Sequence, residues 1–164
     1  TFEGLRHLAV NLHPPLLDEL GLVGAIEKYM DTYRQTQPGL TVIFHHDGDI
    51  SCVSRPVALF CYRMVQEGLT NIARHAQAHT VTIELHVLPS KLTLSVRDEG
   101  IGFSADRAER ARLDNHLGLV SMRERTDVLN GTFAIDSHPG KGTTLTISLP
   151  LYLSEEEEHE HSLG

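Results

Sequence analysis

QEGLTNIARH, residues 66–75, ends a helix-like run, and DEGIGF, residues 98–103, follows a strand-like run about one hairpin further on. The two stretches supply an amide that can bind a hard cation and a carboxylate that can accept a hydrogen bond from an exocyclic amine. They also supply glycines, which allow the backbone to approach a ligand closely. Either stretch alone is weak, because an Asp-x-Gly-x-Gly loop is often a plain turn. Their order and spacing together predict a nucleotide site.

The spacing of apolar residues predicts the elements around these stretches. Helices are predicted over residues 4–13, 16–35, 56–76 and 117–129. Strands are predicted over residues 40–46, 81–87, 92–96, 133–135 and 145–149. The second helix carries an apolar stripe of Leu17, Leu20, Val23, Ile26, Tyr29 and Met30. Asp47-Gly48-Asp49 is predicted to be a turn, and Ser54 can cap the third helix.

The order of these elements indicates the fold class. Strands occur in hairpin-like pairs with helices facing them, which favours an α+β fold. We expect a two-layer sandwich, in which a mixed β-sheet is covered by helices on one face, with an N-terminal helical segment. The glycine stretches do not fall in a βαβ crossover, which disfavours a Rossmann domain.

Composition excludes several classes of protein. The formal net charge is −8, so a nucleic-acid partner is not expected. Two cysteines are too few for a disulfide scaffold, and we expect Cys61 to be a buried apolar residue. No apolar run approaches the roughly 20 residues of a membrane span, so we expect no membrane contact by this chain. Because the chain begins with Thr1, we expect it to be a piece of a longer protein.

The predicted helix over residues 56–76 has one wholly apolar line and one mixed line. The apolar line is Ala58, Cys61, Val65, Leu69, Ile72 and Ala76. The mixed line begins with Val57, Phe60 and Met64 and continues with Glu67, Asn71, Arg74 and His75. At a pocket, the Asn71 amide suits a hard cation, the Arg74 guanidinium suits phosphate, and Glu67 can orient or deprotonate a nucleophile. A solvated helix face is an equal alternative for this helix taken alone.

The glycine stretches suggest ligand contacts of their own. Asp98 should end a strand, where its carboxylate can accept from an exocyclic amine, and Gly100 and Gly102 permit positive φ and leave room for a flat base. Gly118 opens a predicted helix, whose first N–H groups attract phosphate. GKGTT at residues 140–144 lies at a strand entry. A turn, a simple helix entry and a hairpin are the respective alternatives.

These four stretches, in this order, resemble the N box and glycine boxes of the ATP-binding domain shared by sensor histidine kinases, Hsp90, MutL and DNA gyrase. The resemblance covers residues 40–149 and implies a Bergerat-type ATP-binding fold. QEGLTNIARHAQA (66–78) and HLGLVSMRER (116–125) are similar to the nitrate-sensor and DesK-like branch of histidine kinases. Residues 4–30 resemble the second dimerisation helix of that branch and its linker.

The resemblance implies roles for the polar residues. Asn71 would coordinate Mg²⁺, Glu67 would assist phosphoryl transfer, and Asp98 would read adenine. The residues implied to bind ATP are Asn71, Arg74, His75, Asp98, Gly100, Gly102, Gly118, Leu119, Gly142 and Thr143.

Further roles are implied around the nucleotide. Gly118 and Leu119 would hinge a lid over residues 103–116, and Thr143 would support adenine through water. Arg74 stands where the family often has Lys, which keeps the charge but changes its geometry.

The resemblance also implies the domain organisation. Residues 1–36 are the partial second dimerisation helix and linker, residues 37–151 the ATP-binding catalytic domain, and residues 152–164 an acidic, disordered tail. We expect the phosphoacceptor histidine to lie on a first dimerisation helix that this chain lacks. His13 is not expected to be the acceptor, because Pro14 breaks the helix after it and no acidic residue follows it. We therefore expect ATP binding but no autophosphorylation by this chain alone.

The implied function is the catalytic domain of a two-component sensor histidine kinase, which passes the ATP γ-phosphoryl to a histidine for relay to a LuxR-type response regulator. The intact kinase is implied to be a membrane-anchored homodimer with this portion in the cytoplasm. An anti-sigma-factor-type serine kinase is an alternative, disfavoured by PPLLDELGL at residues 14–22. A non-catalytic ATP-sensing interaction module is another, disfavoured by Glu67 and Asn71.

Overall fold

The computed structural model describes residues 15–102 and 117–152 of the 164-residue chain. Along the chain lie α1 (Pro15–Thr36), β1 (Thr41–Gly48), a short 3-10 helix (Ile50–Cys52), α2 (Arg55–His75), β2 (Thr80–Leu88), β3 (Lys91–Asp98), α3 (Leu117–Val128), β4 (Thr132–Ser137) and β5 (Thr143–Pro150). The predicted helix over residues 4–13, the predicted lid over 103–116 and the tail beyond Tyr152 lie outside the described residues. Within the described ranges, no helix combines the length and apolar character needed to span a bilayer.

The five strands form one mixed sheet in the order β1-β2-β3-β5-β4. β1 and β2 are parallel and are connected through α2, whereas the other three strand pairs are antiparallel. A parallel pair requires such a crossover, whereas short turns connect the antiparallel pairs β2–β3 and β4–β5. The predicted α+β sandwich with a mixed sheet is confirmed.

One face of the sheet carries the core. Alternate residues of β2 and β3 are buried, and β5 repeats the pattern at Leu145, Ile147 and Leu149. Buried side chains from the three described helices belong to the same apolar cluster. Cys61 is fully buried within it, as the sequence predicts. Side chains on the other face of the sheet are half-buried or exposed, so the described helices cover one face only.

α1 is broken at Gly21, where φ is 72° and ψ is 179°. Glycine adopts this backbone conformation without the steric cost that a side chain would add. The break shifts the phase of the helix, so the buried residues beyond it are Leu22, Ala25, Ile26, Met30 and Tyr33. The predicted stripe is wrong at Leu20, which directly precedes the break and is 50% exposed. Helical periodicity assumes an unbroken helix and does not reveal such a shift.

Two predicted details at element ends also differ. The predicted turn at Asp47 and Gly48 is wrong, because both residues continue β1 and pair with β2. Ser54 does occupy the N-cap position of α2, but its side chain makes no capping hydrogen bond. Asp49 caps the preceding 3-10 helix instead, accepting from the Ser51 N–H at 3.0 Å.

α1 packs against α2 through a cluster of three tyrosines. The rings of Tyr29 and Tyr33 stack at 6.5 Å, and Tyr62 meets Tyr29 edge-on at 6.1 Å. The Tyr33 hydroxyl donates a buried hydrogen bond of 2.8 Å to the Leu69 carbonyl. Because Leu69 lies midway between Glu67 and Asn71, this bond connects α1 to the part of α2 that carries the predicted site.

Replacing Tyr33 with Phe should lower the free energy of unfolding by about 1 kcal/mol, because a buried hydrogen bond is lost while the ring is kept. Tyr152→Phe makes the same chemical change at a residue that is 74% exposed, and it should change stability by less than about 0.5 kcal/mol. Urea unfolding of both variants measures the difference. Equal effects would contradict the role given to the Tyr33 hydroxyl.

Candidate nucleotide site

Asp98 is the buried carboxylate of the site. It is the last residue of β3, and only 4% of its surface is exposed. Its Oδ1 accepts a hydrogen bond of 2.8 Å from the Gly100 N–H. Burial raises the pKa of the Asp98 carboxyl above 3.8, while the N–H groups of Gly100 and Thr143 act in the opposite direction. The carboxylate is therefore held in a fixed orientation with little access to water.

The loop after β3 lies against the C-terminal end of α2. The Ile101 N–H donates to the Ala76 carbonyl at 2.8 Å. A Cβ at Gly100 would lie 2.1 Å from the same carbonyl oxygen, so only glycine fits there. Gly100 does not adopt the positive φ that glycine permits, so the residue is required for close backbone approach rather than for a left-handed conformation.

Gly102 and Gly142 join this loop to the β4–β5 hairpin. Their φ values are +59° and +78°, so Gly102 uses the positive φ that glycine permits. A Cβ at Gly102 would lie 2.1 Å from the His138 carbonyl oxygen, and one at Gly142 would lie 2.0 Å from the Asp98 carbonyl oxygen. Glycine is therefore required at each position for two reasons, the left-handed backbone conformation and the close contact with a carbonyl oxygen.

The mixed line of α2 is partly buried. Glu67 and Asn71 lie one turn apart and are half-buried, whereas Arg74 is exposed. The Asn71 Nδ2 atom is buried and has no hydrogen-bond partner among the residues that the structure describes. His75 is the last residue of α2, and its side chain is not among those described. A fully solvated helix face, the alternative left open by the sequence, does not fit this burial.

α3 begins against Glu67. Gly118 is its second residue, as the sequence predicts, and a Cβ there would lie 1.9 Å from Glu67 Oε1. The missing side chain makes room for the carboxylate beside the first turn, where backbone N–H groups lack intrahelical partners. Leu119, the next residue, packs against the core. On α1, burial and, to a smaller extent, the charge of Glu67 raise the pKa of Tyr29, a neighbour that the sequence did not reveal.

Thr143 begins β5 between two polar neighbours. It is the register partner of Asp98 in β3 and of Ser137 in β4. Its Oγ1 atom lies 2.8 Å from Ser137 Oγ. Sequence reasoning did not single out Ser137, although its place facing Thr143 across the predicted hairpin was a usable signal. The carbonyls of Ala76 and His138 were also missed, because backbone groups leave no mark in a sequence.

Six of the predicted residues thus fall into two groups connected by α2. Asp98, Gly100, Gly142 and Thr143 form the first group, which meets the C-terminal end of α2 at Ala76. Glu67 and Gly118 form the second group. The first group offers a carboxylate and backbone groups to a ligand, and the second offers a carboxylate at a helix start.

The comparison with known families agrees with this geometry. Residues 57–153 match the family described as histidine kinase-, DNA gyrase B-, and HSP90-like ATPase. The chain belongs to this ATPase family. The matching region runs from the first turn of α2 to beyond β5, so it contains every residue of both groups.

Named relatives of this ATPase domain are bacterial sensor kinases. The chain is 34% identical over 151 residues to the signal transduction histidine-protein kinase/phosphatase DegS of Brevibacillus brevis. It is 33% identical over 156 residues to the sensor histidine kinase LiaS of Bacillus subtilis. The two alignments cover 92% and 95% of this chain but 38% and 41% of the relatives, so the chain spans about two fifths of their length. The resemblance to sensor histidine kinases is confirmed.

Solved structures share the fold of this ATPase domain. The histidine kinase domain from the Erythrobacter litoralis EL346 blue-light activated histidine kinase aligns with a TM-score of 0.59 at 21% identity. The alignment covers 77% of this chain and 59% of that chain.

Gly142→Ala and Gly140→Ala form a matched pair, because the φ values of these glycines are +78° and +77°. A Cβ at Gly142 would lie 2.0 Å from the Asp98 carbonyl oxygen, whereas one at Gly140 meets nothing within 4 Å. We expect Gly140→Ala to cost about 1–2 kcal/mol for the left-handed conformation alone. Gly142→Ala should cost clearly more. Denaturant unfolding measures both, and equal costs would contradict the contact with Asp98.

Asp98→Asn should be at least as stable as the wild type at pH 7. Because the pKa of Asp98 is raised in the folded protein, the folded state binds more protons than the unfolded state between pH 3.8 and that raised value. The free energy of unfolding of the wild type therefore falls as the pH rises through this window, whereas that of Asp98→Asn does not, because Asn does not ionise. The advantage of the variant should shrink as the pH falls back through the window.

Chemical unfolding at several pH values measures this difference. Glu84→Gln, which neutralises an exposed carboxylate of β2, controls for the loss of one negative charge. If Asp98→Asn were less stable than the wild type at every pH, burial would not be the dominant influence on this carboxyl.

Proposed function

We propose that residues 37–151 bind Mg-ATP and form the catalytic domain of a two-component sensor histidine kinase. The observation that carries the proposal is the buried Asp98 carboxylate, held by the Gly100 N–H beside the C-terminal end of α2. Membership of an ATPase family supports it, as do relatives named sensor histidine kinases.

Asp98 would read the adenine base. An ionised carboxylate only accepts hydrogen bonds, so it suits the exocyclic amine of adenine. Its orientation is already fixed by the Gly100 N–H, so ligand binding need not order it. Gly100 and Gly102 keep the adjacent backbone free of side chains, which leaves space for a flat base.

Asn71 fits the role of a magnesium ligand. Its Nδ2 atom is buried without a partner in the described part of the chain. Turning the amide by half a rotation would place Oδ1 at that position. Mg²⁺ is commonly held by one or two protein oxygens together with substrate phosphates, and it would neutralise phosphate charge in this site. The exposed Arg74 guanidinium, one turn further along α2, would contact the phosphates.

Glu67 would orient or deprotonate the attacking histidine. It is half-buried, and the absence of a side chain at Gly118 leaves room for its carboxylate. A carboxylate fixed one turn from the metal ligand can accept a proton from a nucleophile brought to the γ-phosphoryl. His75, Leu119, Gly142 and Thr143 stay predicted members of the ATP site.

In the intact protein, the phosphoryl would pass to a histidine of the dimerisation domain and then to a response regulator. We also propose that the response regulator is of the LuxR-type class and that the intact kinase is a homodimer. This domain would lie in the cytoplasm. Residues 1–36 and 152–164 would be the dimerisation helix with its linker and the acidic tail.

Titration calorimetry with Mg²⁺ and the β,γ-imido analogue of ATP tests the nucleotide site. Wild-type protein should bind, and Asp98→Asn should bind about ten- to a hundredfold more weakly, because a hydrogen bond to a charged group contributes about 1.5–3 kcal/mol. Glu84→Gln should bind like the wild type. Absence of binding by a folded wild-type chain would contradict the proposal.

The same proteins test the kinase reaction when they are mixed with labelled ATP and the histidine-bearing dimerisation domain of a relative. Wild-type protein should transfer an acid-labile label to that domain. Glu67→Gln should bind nucleotide normally but transfer on the order of 10²–10⁴-fold more slowly. An acid-stable label would indicate a serine kinase, and binding without transfer to the supplied domain would favour the sensing module.

A further inference from the structure

α1 consists of two helical segments that meet at Gly21. We call residues 15–20 the strap and residues 22–36 the anchored segment. The Gly21 φ of 72° and ψ of 179° belong to a backbone region that is essentially restricted to glycine. A Cβ at Gly21 would meet nothing within 4 Å, so glycine is required there for its backbone conformation and not for space.

A second glycine, Gly24, also fits only the bent form of α1. A Cβ at Gly24 would lie 2.9 Å from the Cβ of Leu20, which is closer than Cβ atoms approach in folded proteins. In an unbroken α-helix, Cβ atoms four residues apart are about 5–6 Å from each other. A straight α1 would therefore need neither glycine, and each glycine disfavours a straight helix relative to alanine.

The strap is held on the domain by weak contacts. Leu17 is buried against the core, and the Asp18 carboxylate pairs with Arg55 of α2 at 2.9 Å. Both charged side chains are about half-exposed, and exposed ion pairs contribute little to stability. Leu20, the last residue of the strap, is 50% exposed.

The anchored segment is held by stronger contacts. The Tyr33 hydroxyl donates to the Leu69 carbonyl at 2.8 Å, and the Arg34 guanidinium donates to the Val42 carbonyl at 2.6 Å. Its buried apolar side chains are Leu22, Ala25, Ile26 and Met30. The boundary between the firmly held and the weakly held part of α1 therefore lies at the glycine where the helix is broken.

We propose that α1 is a two-state element. In one state the strap folds against α2, as in this structure, and in the other it continues the anchored segment as one straight helix. Straightening breaks the Asp18–Arg55 pair and removes Leu17 from the core. In return, the residues around Gly21 gain the regular hydrogen bonds of an α-helix.

The state of α1 sets the direction in which the chain N-terminal to Pro15 leaves the domain. In the proposed kinase, this part of the chain carries the dimerisation helix, so the bend would set the position of that helix relative to the nucleotide site. This consequence rests on the proposed function, whereas the two states of α1 do not.

Double electron–electron resonance between two spin labels tests the proposal, because separate conformations give separate distances. Glu19→Cys in the strap and Glu84→Cys on β2 supply the labelling sites at exposed positions. The full chain carries Cys52→Ser, and Cys61 is fully buried and should not be labelled. Labels at Glu84 and at the exposed Glu27 of the anchored segment form the control pair.

The wild-type helix should give one main distance between labels 19 and 84. Gly21→Ala and Gly24→Ala should each populate the same second distance. For Gly21→Ala, the ratio of the second population to the first should rise roughly five- to a hundredfold, because alanine is disfavoured in the bent conformation. The distance between labels 27 and 84 should stay unchanged in every variant.

Asp18→Asn weakens the strap without changing a glycine. It should raise the same ratio roughly two- to fivefold, the range of an exposed ion pair, and Arg55→Gln should then add no further change. Asp31→Asn is the matched control, because it removes an exposed ion pair of 2.8 Å with Arg34 in the anchored segment. It should leave the ratio unchanged.

Each outcome decides the inference. A single unchanged distance between labels 19 and 84 in both glycine variants would overturn it. A change between labels 27 and 84 would also overturn it, because the whole of α1 would then move. Titration of the wild type with the ATP analogue decides the proposed function separately. A second distance without nucleotide binding supports the two states and contradicts the proposed function, and nucleotide binding with an unchanged distance does the reverse.

Discussion

The close packing of α2 on the sheet is the constraint on which the rest of the structure depends. At Gly68 a Cβ would lie only 3.3 Å from Val96 of β3, so the helix approaches the sheet about as closely as a side chain would permit. Cys61, Val65 and Leu69 are fully buried on this face. Because the helix lies this deep, its last turn reaches the loop after β3, and the Ala76 carbonyl can accept from Ile101.

Around α2, the neighbouring elements contact the site through identifiable interactions. α1 reaches it through the Tyr33 hydrogen bond to Leu69, and α3 reaches it through Gly118 beside Glu67. Both contacts fall on the stretch of α2 that carries Glu67 and Asn71. A rigid helix held from two sides can keep these side chains in a fixed relation, which the proposed phosphoryl transfer would require.

The site also carries a cost in stability. Asp98 is buried with its pKa raised, so the folded protein contains a carboxylate in surroundings that disfavour its charge. The N–H groups of Gly100 and Thr143 offset part of this cost. A buried acceptor that is only partly compensated can gain more from a ligand donor than a solvated one, and residues of this kind are common at binding sites. Because burial disfavours the charge, removing it should raise the stability of the fold while it weakens nucleotide binding. The two effects can therefore be measured separately.

The sequence by itself determined most of the elements and predicted which chemical groups form the proposed site. Period-two alternation placed β2, β3 and β5 and their buried face, because that pattern depends only on which side chains avoid water. Asp98, Glu67 and Asn71 could be singled out because their functional groups are rare beside apolar stripes. Tertiary structure alone decided the close approach of Gly100 to the Ala76 carbonyl and the register that places Thr143 beside Asp98. These features depend on backbone carbonyls and on strand register, which join residues distant along the chain and have no counterpart in local residue spacing.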